Sequence, residues 1–244
     1  METIFKKHIK QISILIDPGK LALDALIPII DGGIKNNIDF FFIGGSLMSS
    51  SALDETIDLI KSKCDIPCIL YPGSTYQISS KADACLFMSL VSGRNPEYLI
   101  GQQVVSAPLL KQAKIKTIST AYMLISDSIS TSVAYMSQTF PIPTQKTDIA
   151  LATALAADML GFSCLFIDAG SGAAKEIPTQ AIKLISSQIN KPLLVGGGIN
   201  NASKARQAFK NGADIIVIGN AIEQNPNLID ELASIRNEFS YKNS

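Results

Sequence analysis

Residues 193–220 read LLVGGGINNASKARQAFKNGADIIVIGN. An apolar run ends in three glycines, a helix-forming stretch follows and closes at Gly212, and a second apolar run ends in Gly-Asn. Two short buried strands with a helix between them make a parallel pair. The same punctuation recurs upstream, in ISILIDPGK (12–20), FFFIGGS (40–46), ILYPGS (69–74) and LFIDAGSG (165–172). Glycine lets a backbone approach an anion closely, because no Cβ intervenes. Such turns, all at the carboxyl ends of buried strands, meet on one face only when parallel strands close into a ring. The pattern predicts a barrel enzyme whose ligand carries phosphate.

Outward from this unit, strands are expected over residues 12–16, 39–43, 67–71, 85–91, 117–124, 164–169, 192–195 and 214–218. Helices are expected over 24–36, 52–61, 96–113, 147–162, 179–188, 203–211 and 228–238. The expected fold is a single α/β domain, residues 1–244, built as a TIM (β/α)8 barrel with a closed parallel sheet. Residues 76–83 are short and polar, so the third helix is expected to be degenerate or replaced by a loop. Residues 125–146 form an insertion rich in Ser, Thr and Pro. Thr147 is the expected N-cap of the helix that follows, and Gly161 sits where its C-cap would be.

Length and composition agree. The 244 residues suit one barrel of roughly 250, and 47% hydrophobic against 17% charged residues supplies a large core. A formal net charge of zero argues against a nucleic-acid partner, which would favour a basic stripe. No apolar run is long enough to span a membrane, and the first residues lack the apolar stretch of a secretion signal, so a cytoplasmic protein is expected. Cys64, Cys68, Cys85 and Cys164 match no zinc spacing and are expected to be reduced, buried thiols. The single histidine, His8, precedes the first strand, which disfavours a Ser-His-Asp triad.

The chemistry is expected at the strand ends. Gly196, Gly197 and Gly198 follow the seventh strand, and Gly219 and Asn220 the eighth. There backbone N–H groups and a helix amino end can hold phosphate; otherwise these glycines only make tight turns. The sixth strand adds Ala169–Gly172, whose small residues bring backbone amides and the Ser171 hydroxyl to a ligand. Asp168, which ends that strand, is either a mouth carboxylate or a turn cap. Asp17, before Pro18-Gly19, is placed to hold Mg²⁺ with Ser46 as a neighbouring oxygen ligand, or is simply a turn-initiating Asx residue. Arg94 either helps hold a diphosphate or is an idle loop residue. Tyr71, Tyr122, Leu90, Met48 and Met88 make an apolar mouth, better suited to a phosphate head with a long apolar partner than to a sugar.

In order, LIDPGK, FFIGGSLMS, LYPGS, NPEYLIG (95–101), TAYMLI (120–125), PIPTQKTDIALATALAADMLG (141–161), FIDAGSGA (166–173), VGGGI (195–199) and IVIGNAI (216–222) resemble the geranylgeranylglyceryl phosphate synthase family, which includes the bacterial heptaprenylglyceryl phosphate synthases. The resemblance runs from about Lys10 to Glu223. It implies a TIM-barrel prenyltransferase of lipid biosynthesis that uses Mg²⁺ to join sn-glycerol 1-phosphate to a polyprenyl diphosphate through an ether bond. It further implies Asp17 and Ser46 as metal ligands. For sn-glycerol 1-phosphate it implies Phe166, Ile167, Asp168, Ala169, Gly170, Ser171 and Gly172, then Gly197 with Gly198 and Gly219 with Asn220. Many members carry glutamate where this chain has Asp168, and the first motif usually reads DPD or DPA rather than DPG.

The expected mechanism follows. The diphosphate leaves, the 3-hydroxyl of glycerol 1-phosphate attacks the allylic carbon, and Asp168 orients that hydroxyl and takes its proton. The prenyl tail is expected in an apolar groove near Tyr98, Leu99 and Tyr122, with geranylgeranyl as the first choice of chain and heptaprenyl the second. A homo-oligomer, dimer or hexamer, is also implied, with exposed aromatic residues on the helices at 96–113 and 147–162 as its expected seat. The rival readings are a phosphosugar isomerase on the same barrel and a non-catalytic phosphate-binding barrel.

Overall fold

The computed structural model describes residues 4–45, 50–173 and 175–240. Eight strands, β1 (Gln11–Ile16), β2 (Phe40–Ile43), β3 (Cys68–Leu70), β4 (Ala84–Leu90), β5 (Lys116–Leu124), β6 (Cys164–Asp168), β7 (Leu193–Gly196) and β8 (Ile215–Ile218), close into a barrel in sequence order. Every neighbouring pair is parallel, β8 returning to β1 through Gln11↔Ile215. The strands read as near-continuous apolar runs because both faces are buried. In β2, Phe40 and Phe42 point to the barrel axis, while Phe41 and Ile43 pack against the helices.

The outer layer is α1 (Leu23–Lys35), α2 (Ser50–Lys63), α3 (Gln102–Gln112), α4 (Ser132–Ser137), α5 (Thr147–Met159), α6 (Thr179–Gln188), α7 (Ala202–Lys210), α8 (Asn220–Gln224) and α9 (Leu228–Ser240). No helix lies between β3 and β4, as the short polar segment there predicts. The 96–113 helix begins as a π-helical turn, Glu97–Gly101, before α3. The 125–146 insertion holds a short helix that its composition conceals: α4, capped by the Thr131 hydroxyl accepting from the Ala134 N–H at 3.2 Å. Thr147 is the first helical residue of α5 rather than its cap. Lys146 occupies the cap position and gives no side-chain hydrogen bond. Gly161 stands just past the end of α5 in the left-handed region, φ +84°.

The amino ends of the strands are stitched by carboxylates. Asp39 accepts from the Ile12 N–H (2.8 Å), Asp83 from the Cys68 N–H (2.8 Å) and Asp214 from the Leu193 N–H (2.9 Å). Each aspartate lies just before one strand and fastens the first residues of the strand beside it, so the same device recurs at three seams. Below them Phe5 plugs the barrel floor edge-on to Phe40, ring centroids 5.3 Å apart. His8 donates its backbone N–H to Asp214 at this end, the opposite end from the strand-end glycines, which rules out a triad with Asp168. All four cysteines are free, and burial pushes the Cys68, Cys85 and Cys164 thiols up to about 12. No helix among the described residues is long and apolar enough to cross a membrane.

Candidate active site

The carboxyl ends of the strands enclose a cavity of about 450 Å³, whose wall runs from Asp17 and Lys20 after β1, past Gly45, Tyr71 and Asp168, to the glycine turns after β7 and β8. Strand period decides which residues of β6 reach it. Phe166 and Asp168 face the cavity, whereas Ile167 and the adjoining Ala169 point outward into the core between sheet and helices. Of the expected segment 166–172, the Ile167 and Ala169 side chains point away from the cavity, so only their backbone could meet a ligand there. Gly170, Ser171 and Gly172 continue along the wall, with Ser171 exposed at the mouth.

Asp168 is 6% exposed. Its Oδ2 accepts the Tyr122 hydroxyl at 2.5 Å and its Oδ1 accepts the Gly170 N–H at 2.9 Å. Burial holds its carboxyl above the usual carboxylate range, although Tyr122 and the backbone donors pull the other way. Burial, and then the Asp168 charge, push the Tyr122 phenol up as well. Asp168 is thus both turn cap and mouth carboxylate, since one oxygen serves each role. Such a buried group with a displaced titration marks candidate proton-transfer sites. Gly197 makes room for it: at φ +75°, a Cβ there would lie 2.6 Å from Asp168 Oδ1 and 2.7 Å from the Ala169 nitrogen. Gly196 and Gly198 line the cavity beside it, and Gly219 leads into α8, where Asn220 faces the cavity.

Asp17 likewise fills two roles. Its Oδ1 accepts the Gly19 N–H at 3.2 Å, the Asx turn that Pro-Gly announces, and its side chain still lines the cavity at 13% exposure. A Cβ on Gly45 would sit 2.5–2.7 Å from all three carboxylate atoms of Asp17, so only glycine leaves that flank open. Ser46 and Met48, the other residues expected on this side, lie outside the described residues. Two charged wall residues escaped the sequence reading: Glu223 on α8, whose carboxyl burial raises, and Lys20. Lys20 was in plain view inside LIDPGK, but its partner across the barrel was not.

An apolar groove leaves the same mouth where the third helix is missing. Tyr71, Met88, Leu90, Tyr98, Tyr122, Val133 and Met136 line it. Tyr98 and Tyr122 are therefore where the groove was expected. Leu99 is not among its lining residues; its carbonyl accepts the Ser89 hydroxyl at 2.9 Å instead. Tyr71 borders both groove and cavity, and Tyr122 lines the groove while its hydroxyl reaches Asp168 in the cavity wall. The Arg94 guanidinium donates to the Val91 and Gly93 carbonyls and lines neither space, which favours the idle-loop alternative.

Comparison with known proteins points the same way. The chain is 48% identical over 227 residues to the geranylgeranylglyceryl phosphate synthase of Chitinophaga pinensis, covering 93% of this chain and 90% of that one. It is 36% identical over 221 residues to the enzyme of the same name from Methanothermobacter marburgensis, covering 91% and 89%. Among solved structures it superimposes with a TM-score of 0.88, at 35% identity and covering 96% and 94% of the two chains, on (S)-3-O-geranylgeranylglyceryl phosphate synthase from Thermoplasma acidophilum in complex with its substrate sn-glycerol-1-phosphate. Thiamine phosphate pyrophosphorylase from Pyrococcus furiosus, at 15% identity and a TM-score of 0.61, shares the fold alone. The sequence profile of the PcrB family matches residues 2–236, and the chain belongs to that family.

Proposed function

We propose that the protein is a Mg²⁺-dependent prenyltransferase of lipid biosynthesis that joins sn-glycerol 1-phosphate to geranylgeranyl diphosphate through an ether bond and releases diphosphate. One observation carries this reading: a buried carboxylate, Asp168, stands between a cavity walled by glycine turns and an apolar groove opening from the same mouth. Backbone amides at Gly172, Gly197, Gly198 and Gly219 with Asn220 hold the phosphate end, and the groove takes the tail. The 3-hydroxyl oxygen bonds to the allylic carbon as the carbon–oxygen bond to diphosphate breaks. Asp168, oriented by Tyr122, accepts the hydroxyl proton. Holding head and tail at this junction supplies much of the rate by positioning.

Asp17 fits a divalent cation. It is an oxygen donor in a partly covered wall, beside a glycine whose missing Cβ leaves the carboxylate accessible. Asp17 and Ser46 would hold Mg²⁺, which supplies charge neutralisation of a leaving diphosphate. We propose further that the protein works in the cytoplasm as a homo-oligomer, dimer or hexamer. Exposed Ile100, Val104, Val105 and Leu109 beside and on α3, with Ile149 on α5, support an interface there, and they are aliphatic rather than aromatic.

The test is extraction of labelled sn-glycerol 1-phosphate into an organic phase in the presence of Mg²⁺ and prenyl diphosphates of several lengths. Extractable label with the geranylgeranyl chain is expected. Label with heptaprenyl alone would reassign the chain length. No label with any length, from folded protein that still binds glycerol phosphate, would refute the reaction.

A further inference from the structure

A cavity built to take phosphate groups needs positive charge as well as backbone amides. Among the described residues that line it, three are carboxylates, Asp17, Asp168 and Glu223, and only Lys20 is cationic. Two further basic side chains near the mouth are turned elsewhere. Lys204 Nζ is held behind the glycine loop by the Gly198 carbonyl (3.1 Å) and Glu176 (3.1 Å), and Arg94 is bound to loop carbonyls.

Lys20 spans the mouth. Its ammonium lies 3.1 Å from Asn220 Oδ1, at the start of α8, and 3.5 Å from Asp17 Oδ2. It therefore ties the loop after β1 to the turn after β8 across one side of the cavity. Neither tie is strong. The amide oxygen is neutral, the ion pair is loose, and the Lys20 side chain is 44% exposed. An ammonium is a compact charge on a flexible stem, suited to follow an anion. A phosphate dianion entering between these two loops offers closer and more highly charged acceptors than either present partner.

We infer that Lys20 is a phosphate-binding residue of this site, its ammonium moving from Asn220 and Asp17 onto a phosphate oxygen of the bound ligand. The inference rests on the proposed function for the presence of a phosphate-bearing ligand. That ligand is either the phosphate monoester of sn-glycerol 1-phosphate, whose proposed site includes Asn220, or the diphosphate of the prenyl donor, beside the proposed metal ligand Asp17, and the Lys20 ammonium lies near both residues. Once it binds, the Asp17 carboxylate loses its cation partner and is left free for a metal ion.

The experiment is calorimetric titration of the full-length protein, free of divalent cations, with sn-glycerol 1-phosphate and separately with inorganic pyrophosphate. Wild type, Lys20→Met and Lys20→Arg are compared at two salt concentrations, with thermal melting as the check on folding. Lys20→Met is expected to weaken one of the two anions by about tenfold or more, the range of a hydrogen bond to a charged group, and to flatten its salt dependence. Lys20→Arg should restore most of the loss, and the anion that responds identifies the phosphate Lys20 holds. Affinities within twofold of wild type for every anion that wild type binds would overturn the inference while leaving the reaction standing. Failure of wild type to bind either anion would overturn both the inference and the functional reading beneath it.

Discussion

Replacing Asp168 by Asn should lower activity and raise stability together, and the two effects have separate origins in the structure. The carboxylate is 6% exposed and has two short hydrogen bonds, yet burial still outweighs them and holds its carboxyl above the ordinary value of 3.8. Between 3.8 and the raised folded value, the folded protein keeps a proton that the unfolded chain has already released. Stability therefore falls as pH rises through that window and stays lowered above it. An amide of the same shape carries no such penalty. Its oxygen can still accept the Gly170 N–H now 2.9 Å away, and the Tyr122 hydroxyl can turn to accept from the amide nitrogen. D168N should consequently melt above wild type at pH 7, and the gap should close as pH falls through the window. Turnover should drop at least about tenfold, a barrier increase of about 1.4 kcal/mol, and as far as about 10⁴-fold if proton transfer is fully coupled to attack. Calorimetric melts across pH, paired with the organic-extraction assay, measure both. Wild-type turnover in D168N would refute the role of Asp168 as base, and a lower melting temperature at pH 7 would refute the argument that its charge is penalised.

Tyr122→Phe removes a donor that favours the charged form of Asp168, so the acid limb of the pH–rate profile should move to higher pH; an unmoved limb would show that Tyr122 does not tune the carboxylate. Gly197→Ala forces a Cβ to 2.6 Å from Asp168 Oδ1 at φ +75°. It should cost about 1–2 kcal/mol in denaturant unfolding from backbone strain alone and reduce turnover, and an unaltered variant would deny the close fit. Phe5→Ala deletes a ring that is 2% exposed at the barrel floor and should cost about 3–5 kcal/mol with an unchanged KM. A loss below about 1 kcal/mol would mean that the plug is not part of the core.

The strands were legible because a sheet buried on both faces leaves short, almost unbroken apolar runs, and glycine marks where each one stops. The gap after β3 was legible for the opposite reason: residues 76–83 lack the length and apolar spacing to cover a helix-sized area of core. What escaped depends on direction and on distant partners. FIDAGSG looks uniform as a motif, but the strand period sends Ile167 outward while Asp168 points in. Helix α4 is only six residues, too short for a periodic pattern to emerge from a Ser/Thr-rich stretch. Lys20 and Asn220 lie 200 residues apart and meet only because β8 closes the ring against β1.

That closure also distributes polarity around the mouth. Strands β6 to β8 end in glycine turns and offer backbone N–H groups, which suit a small anionic head. Strands β3 to β5 present Tyr71, Leu90 and Tyr122 at or near their carboxyl ends, and the missing third helix opens their flank into a groove, which suits an apolar tail. The two arcs meet where β5 pairs with β6, at Tyr122↔Phe166 and Leu124↔Asp168. The Tyr122–Asp168 hydrogen bond crosses that seam. In the proposed reaction the bond to be made joins a phosphorylated polyol to a prenyl carbon, so its two halves would come together at the seam. A carboxylate one methylene shorter than glutamate cannot extend far from the wall. Here it is held at the boundary by a phenol that belongs to the groove and a backbone amide that belongs to the cavity. In the proposed reaction the proton acceptor and the tail-binding surface are coupled through one side chain, so Tyr122→Phe should alter the pH dependence with a long prenyl donor and with a short one alike. A shift confined to the long donor would mean that Tyr122 acts through the tail and not through Asp168.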